Sequence, residues 1–305
     1  MTPEPMFPAA RPDADATMSD ADFEGLARHI HAQTGIVMNA SKRTMLVSRL
    51  SRRLRKLGLP DFASYRKLLE TQANGEERRE LISAITTNVT SFFREPVHFD
   101  ALAKLVPSLA ERARQGERIR IWSAGCSSGE EPYSIAMTLI EHWPGIETAD
   151  VRILATDIDP QMIEKARKGV FAQPQNGQET LPVLQRHMKP QSDTRTIAAA
   201  SALKDLLRFE ELNLLDQWPF NGMFDVIFCR NVVIYFDAET RLGLWRRFAE
   251  RLHPGGTLFI GHSERVDADL EPMLASSGVT QYRRMPDPGP APAISPGRAA
   301  VASRR

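Results

Sequence analysis

The sequence has little cysteine, no excess of either charge and no long apolar run, and each shortage removes a class of protein. Two cysteines, Cys126 and Cys229, supply neither a disulfide framework nor metal-ligand spacing. No bound metal is expected, and a reducing cytoplasm is the expected compartment. Lys and Arg number 39 against 38 for Asp and Glu, so bulk charge names no partner. No apolar stretch approaches membrane-spanning length, and the Pro- and Asp-rich start has neither a positive segment nor an apolar core. The chain is therefore expected to be neither exported nor inserted in a membrane. A Gly-x-x-x-x-Gly-Lys motif is missing, which argues against an NTPase, and so is the full Gly-x-Gly-x-x-Gly spacing of nicotinamide enzymes. There are no internal repeats.

What is present is a soluble globular chain of 305 residues, 42% hydrophobic and 25% charged, long enough for one large domain or two modest ones. Its most informative stretch is Ile119 to Pro132, Ile-Arg-Ile-Trp-Ser-Ala-Gly-Cys-Ser-Ser-Gly-Glu-Glu-Pro. The pattern predicts a strand, a tight glycine turn and a helix start whose unpaired N–H groups face a ligand. Glu130 and Glu131 stand where a phosphate would otherwise rest, so a positively charged nucleoside suits this turn better than a phosphate-rich one.

Residues 1–17 are Pro-, Ala- and Asp-rich and are expected to be disordered. Residues 18–86 read as a small helical domain. Ser19 caps a first helix that ends near Gly35, and a second runs from about Ser41 to Gly58 with Met45, Leu46, Leu50, Leu54 and Leu57 on one side. Asp61 opens a third, and Glu76 to Ile85 forms a fourth. The second helix carries Lys42, Arg43, Arg49, Arg52, Arg53, Arg55 and Lys56 with no acid among them. A face so one-sided is expected to meet an acidic partner.

After a Thr86 to Pro96 segment around Phe92 and Phe93, a helix is expected from Val97 to about Gln115. From Arg118 onward strand and helix patterns alternate, predicting an α/β domain over 87–285 with a parallel, Rossmann-like sheet covered on both faces. Strands are expected at Val151–Thr156, Leu206–Leu214, Phe224–Asn231, Thr257–Gly261 and, antiparallel, Thr280–Arg284. Helices are expected at Pro132–His142, Pro160–Lys168 and from the cap Asp237 to about Leu252. Residues 169–208 break the rhythm and read as an inserted small subdomain of unassigned structure, and 286–305 as a disordered tail.

The strands deliver polar residues to one edge: Glu130 or Glu131, Asp157, Asn213, and Arg230 with Asn231. An acid at the end of the second strand is placed to accept hydrogen bonds from ribose hydroxyls. Together these residues describe a nucleoside pocket without a phosphate cradle. S-adenosylmethionine fits it, because the sulfonium tolerates carboxylates.

Several segments then resemble, in order, the chemotaxis receptor methyltransferase family: Thr86-Thr87-Asn88-Val89-Thr90-Ser91-Phe92-Phe93-Arg94-Glu95, Trp122 to Ser134, Ala155-Thr156-Asp157-Ile158-Asp159, Phe224 to Asp237, and Gly261-His262-Ser263-Glu264. The likeness spans roughly residues 18 to 285. It implies an S-adenosylmethionine-dependent protein-glutamate O-methyltransferase, acting as a monomer on the cytoplasmic helical bundle of chemoreceptors and releasing S-adenosylhomocysteine. By the same resemblance the cofactor residues are Asn88, Thr90, Arg94, Glu131, Asp157, Asn213, Leu214, Arg230 and Asn231, with Arg94 and Tyr235 catalytic. A glutamate carboxylate is already ionised at neutral pH, so alignment and partial desolvation, more than a strong base, are what the reaction needs. Arg94 is expected to hold the incoming carboxylate and Tyr235 to orient it or the cofactor. Arg49, Arg52, Arg53 and Arg55 are expected to face the acidic receptor.

One departure stands out. Family members that bind a receptor's C-terminal tethering peptide carry a glycine-containing loop after a motif like Arg-Tyr-Phe. Here the sequence is Arg186-His187-Met188-Lys189-Pro190 without those glycines, so little tethering is expected. Two other readings remain open at this level. A nucleic-acid methyltransferase should show an Asn/Asp-Pro-Pro-Tyr/Phe motif or a Pro-Cys nucleophile, and neither occurs. A signalling module that only binds S-adenosylmethionine should have lost Arg94, Tyr235 or Asn231, which are all kept.

Overall fold

The computed structural model describes residues 17–71, 75–174, 181–192 and 195–286. The expected disordered ends lie outside these apart from residues 17 and 286. Among the described residues four helices come first: α1 (Asp20–Thr34), α2 (Arg43–Leu57), α3 (Phe62–Glu70) and α4 (Gly75–Ile85). Local chemistry sets their ends. The Ser19 hydroxyl accepts the Asp22 N–H, the Asp61 carboxylate accepts that of Ser64, and Gly35 and Gly58 close α1 and α2 at φ 71° and 66°. A 3-10 turn over Ala40–Lys42 precedes α2, which therefore starts two residues later than its pattern suggests. Leu26, Ile30, Leu46, Leu50, Phe62 and Tyr65 form a core belonging to this module alone.

After α5 (Val97–Arg114) come β1 (Ile119–Ala124), α6 (Glu130–His142), β2 (Val151–Asp157) and α7 (Pro160–Lys168). The inserted segment holds β3 (Val170–Ala172), α8 (Leu181–His187), β4 (Met188–Pro190), β5 (Thr196–Ala199) and α9 (Ser201–Leu206). The chain then completes β6 (Leu207–Glu211), β7 (Phe224–Cys229), α10 (Ala238–Arg251), β8 (Leu252–Ile260), β9 (Leu274–Gly278) and β10 (Gln281–Arg284). The main sheet has the order β6-β2-β1-β7-β8-β10-β9, with β10 antiparallel to both neighbours and the first five strands parallel. This is the Rossmann-like architecture expected.

Side chains alternate across the sheet as a strand period of two requires. Ile121 packs with Phe99 and Leu102 of α5 and Leu139 of α6, whereas Trp122 packs on the other face with Trp218, Trp245 and Phe248. The sheet is thus buried on both sides. Strand order reverses between β1 and β7, and open α/β sheets bind ligands at the carboxyl ends beside such a reversal.

Several strands differ from their sequence patterns. The strand expected from Leu206 to Leu214 stops at Glu211, because its partner β2 ends opposite at Asp157. β8 already begins at Leu252, the turn residues His253 to Gly256 being absorbed by a register shift opposite Phe224 and Val226. β9, a polar edge strand reading Leu-Ala-Ser-Ser-Gly, gave no apolar signal. The insertion forms a three-stranded antiparallel sheet in the order β3-β5-β4, docked on the main core through Phe171, Leu184, Met188 and Ile197.

Candidate active site

The turn after β1 requires its glycines. Gly125 and Gly129 have φ of 85° and 107°, and a Cβ on Gly125 would lie 2.4 Å from Val232 Cγ2. Beside this turn, the Asp157 carboxylate accepts the N–H groups of Ser127 at 2.7 Å and Asp159 at 2.9 Å. Burial pushes its carboxyl up to about 6, against the pull of those N–H groups. Helix α6 begins at Glu130, so both glutamates sit in its first turn, where the helix dipole favours negative charge.

The two acids then part. Glu130 accepts the Ser128 hydroxyl at 2.7 Å, while Glu131 turns inward to the Ser123 hydroxyl at 2.7 Å and the Arg230 guanidinium at 3.0 Å. Burial raises the Glu131 carboxyl, and Arg230 and Ser123 oppose the rise. Arg230 is itself buried; it pairs with Glu95 at 3.2 Å, donates to the Arg94 carbonyl and lies over the Phe99 ring.

The segment before α5 closes one side. Asn88 donates to Asp159 at 2.9 Å and its carbonyl accepts the Ser127 hydroxyl at 2.9 Å, which ties the segment to the ends of β1 and β2. Arg94 donates to the Val89 carbonyl at 2.9 Å and has no carboxylate partner among the described residues. Asn213 joins the other side to the helical module by donating to the Gln33 carbonyl at 2.9 Å. Asn231 leaves β7 at φ 59°, and a 3-10 turn over Val233–Tyr235 follows.

One cavity is lined by Asn88, Thr90, Arg94, Glu131, Asp157, Asn213, Leu214, Arg230, Asn231 and Tyr235 together. Glu130 does not line it. Residues not expected at the cavity also line it: Ile36, Met38, Lys42 and Met45 come from the helical module and roof the cavity. The Val37 N–H donates to the Tyr235 carbonyl at 2.9 Å, and the Lys42 ammonium stands 5.4 Å from the Tyr235 ring. The apolar Ile36-Val37-Met38 run just past the first helix stop was the available signal.

The four arginines expected to meet a receptor divide into pairs. Arg52 and Arg55 are exposed. Arg49 instead donates to the carbonyls of Ala84, Ile85 and Thr86 at the end of α4. Arg53 is folded into the module with an 11% exposed side chain, paired to Glu80 at 2.8 Å and to Glu77, whose carboxylate also accepts the Tyr65 hydroxyl. Arg43 is likewise engaged, with Asp20 and the Met18 carbonyl.

The lining suits a ligand of mixed charge. Asp157 presents a buried acceptor for a diol, Glu131 and Arg230 offer paired charges of both signs, and Asp157 and Glu131 leave no cradle for phosphate. S-adenosylmethionine, with its ribose, its sulfonium and its amino-acid end, fits that donor and acceptor set.

Comparison with known proteins agrees. A family model described as the SAM binding domain of CheR methyltransferase matches residues 88–282, and one described as its all-alpha domain matches residues 21–86. The chain is 44% identical over 259 residues to a probable chemotaxis protein methyltransferase of Rhizobium etli, covering 83% of this chain and 96% of that relative. It is 42% identical to the chemotaxis protein methyltransferase of Escherichia coli over 87% of this chain and 91% of that one. Against chemotaxis protein methyltransferase 2 of Pseudomonas aeruginosa the identity is 38%, over 92% and 98% of the two chains.

Proposed function

Because the chain belongs to the CheR methyltransferase family, we propose that it methylates glutamate side chains on the cytoplasmic helical bundle of bacterial chemoreceptors, yielding glutamate methyl esters and S-adenosylhomocysteine. S-adenosylmethionine supplies the activated methyl group. What remains for the protein is to hold the two reactants and exclude water.

Arg94 carries the proposal. It is a cation on the cavity wall without a carboxylate partner among the described residues, which suits an anionic substrate side chain. Tyr235, on the opposite turn and fixed through its carbonyl to Val37, orients that carboxylate or the cofactor. No general base is required, since the nucleophile arrives ionised. Arg52 and Arg55 provide long-range attraction for the acidic bundle.

We extend the proposal to methylation without a tethering peptide. In the inserted sheet β4 is an edge strand. Gln191 donates to Thr196 and His187 accepts from Ala200, so alternate residues 187, 189 and 191 face β5 and the Pro190 nitrogen faces the free edge. Pro190 thus removes a donor that an added strand would use. Titration of receptor tail peptides by calorimetry should give no binding heat, and a micromolar complex would refute this extension.

The test of the main proposal is a filter assay with labelled S-adenosylmethionine and receptor cytoplasmic domains bearing Glu or Gln at candidate sites. Label should enter only the Glu forms as a base-labile ester. Arg94→Ala should lower kcat by about 100-fold, the order that lost alignment costs. Unchanged turnover in that variant, or label in Gln forms or nucleic acid, would contradict the proposal.

A further inference from the structure

We infer that Glu264 is a positioning residue for methyl transfer, acting through the turn that carries Asn231 and Tyr235; the inference rests on the methyltransferase reading above. Glu264 does not line the cavity, yet the residue is 3% exposed and its carboxylate accepts four main-chain N–H groups. These are Asn231 at 3.0 Å, Val232 at 2.9 Å, Val233 at 3.0 Å and Gly261 at 2.6 Å. Two carboxylate oxygens offer about four lone-pair sites, so the set is complete.

Three successive N–H groups converging on one anion form an anion-binding concavity of backbone amides. Here the anion comes from the protein itself. It helps hold Asn231 at φ 59°, a left-handed conformation that asparagine adopts more readily than most non-glycine residues. Burial pushes the Glu264 carboxyl upward while the four N–H groups oppose the rise, and among the described residues it has no cationic side-chain partner.

Gly261, at the end of β8, presses on the same turn from the other side. A Cβ there would sit 2.5 Å from Asn231 Nδ2 and 2.8 Å from Asn231 N. The turn is therefore clamped between a carboxylate and a bare backbone, and its two ends deliver Asn231 and Tyr235 to the cavity wall. A glutamine at 264 would keep the shape but turn a donor toward two of the N–H groups, loosening the clamp.

The experiment compares wild type, Glu264→Gln and Gly261→Ala in the labelled-methyl assay with a receptor cytoplasmic domain, alongside calorimetry with S-adenosylhomocysteine. Both variants should lose about 100-fold in kcat, the order that an ångström of misplacement costs, at wild-type binding stoichiometry. A purely structural role would lower kcat and stoichiometry in the same proportion. That parallel loss, or wild-type kcat in either variant, overturns the inference. Hydrogen exchange on the wild-type protein tests the clamp even if neither variant folds. The amides of residues 231–233 should be protected to the level of β7, and exchange at the rate of an open loop overturns the inference. A wild-type protein that methylates no receptor fragment would count against the methyltransferase substrate reading, while exchange would still report on the clamp.

Discussion

Lowering the pH from about 8 to about 5 should weaken S-adenosylhomocysteine binding about tenfold, and the cause is Asp157. Asp157 is 8% exposed at the end of β2, and burial raises its carboxyl from 3.8 to about 6 in the unliganded protein. Ribose hydroxyls donate to an ionised carboxylate, so binding selects the ionised form. One pH unit below its midpoint about a tenth of the sites are ionised, and the apparent dissociation constant rises by the inverse of that fraction. At the midpoint, binding should release about half a proton, read from calorimetry in buffers of different ionisation enthalpy. The stability of the unliganded protein has the opposite sign. A carboxyl raised on folding contributes stability that is fully present below 3.8 and is lost as pH rises through about 6, a loss on the order of 3 kcal/mol. Asp157→Asn should bind weakly at every pH and lose both dependences. Flat wild-type affinity between about pH 5 and 8, or an unchanged slope in Asp157→Asn, would refute the reasoning.

Removing Arg53 strands the buried Glu77 carboxylate, so Arg53→Ala should cost about 3–5 kcal/mol in denaturant unfolding. Arg52→Glu with Arg55→Glu, on exposed positions, should leave the melting temperature and cofactor affinity unchanged and slow receptor methylation. The wild-type rate should meanwhile fall steeply with added salt, and a flat salt profile would remove the electrostatic role. Gly125→Ala forces a Cβ against Val232 at a φ of 85°, a strain of about 1–3 kcal/mol, and calorimetry should show cofactor affinity lowered by about tenfold or more.

Local chemistry made most of the fold legible. Ser19, Asp61 and Asp237 cap helices, and Gly35 and Gly58 stop them, through bonds that span a few residues and so leave a readable trace. The candidate site was legible for a related reason: parallel strands of one sheet end on one edge, so reading the residues at their ends collected Glu130 or Glu131, Asp157, Asn213, Arg230 and Asn231. What stayed hidden depended on partners distant in the chain. Helical period gives the face on which Arg49 and Arg53 lie but not that α4, some 24 residues on, supplies the Glu77 carboxylate that turns Arg53 inward. The same period placed Met45 on the apolar face, and it does pack against the module's core, but only docking of the helical module also makes it part of the cavity roof with Ile36, Met38 and Lys42. That Glu131 rather than Glu130 turns toward the cavity likewise follows its pairing with Arg230, a neighbour 99 residues away. By itself, then, the sequence determined the helices outside the insertion, the strands of the main sheet apart from β9, and the edge where they deliver polar groups, because those follow from contacts a few residues apart. Only the tertiary structure decided which charges are spent inside the protein and which remain for a ligand, because a charge turns toward whichever opposite charge the fold brings near.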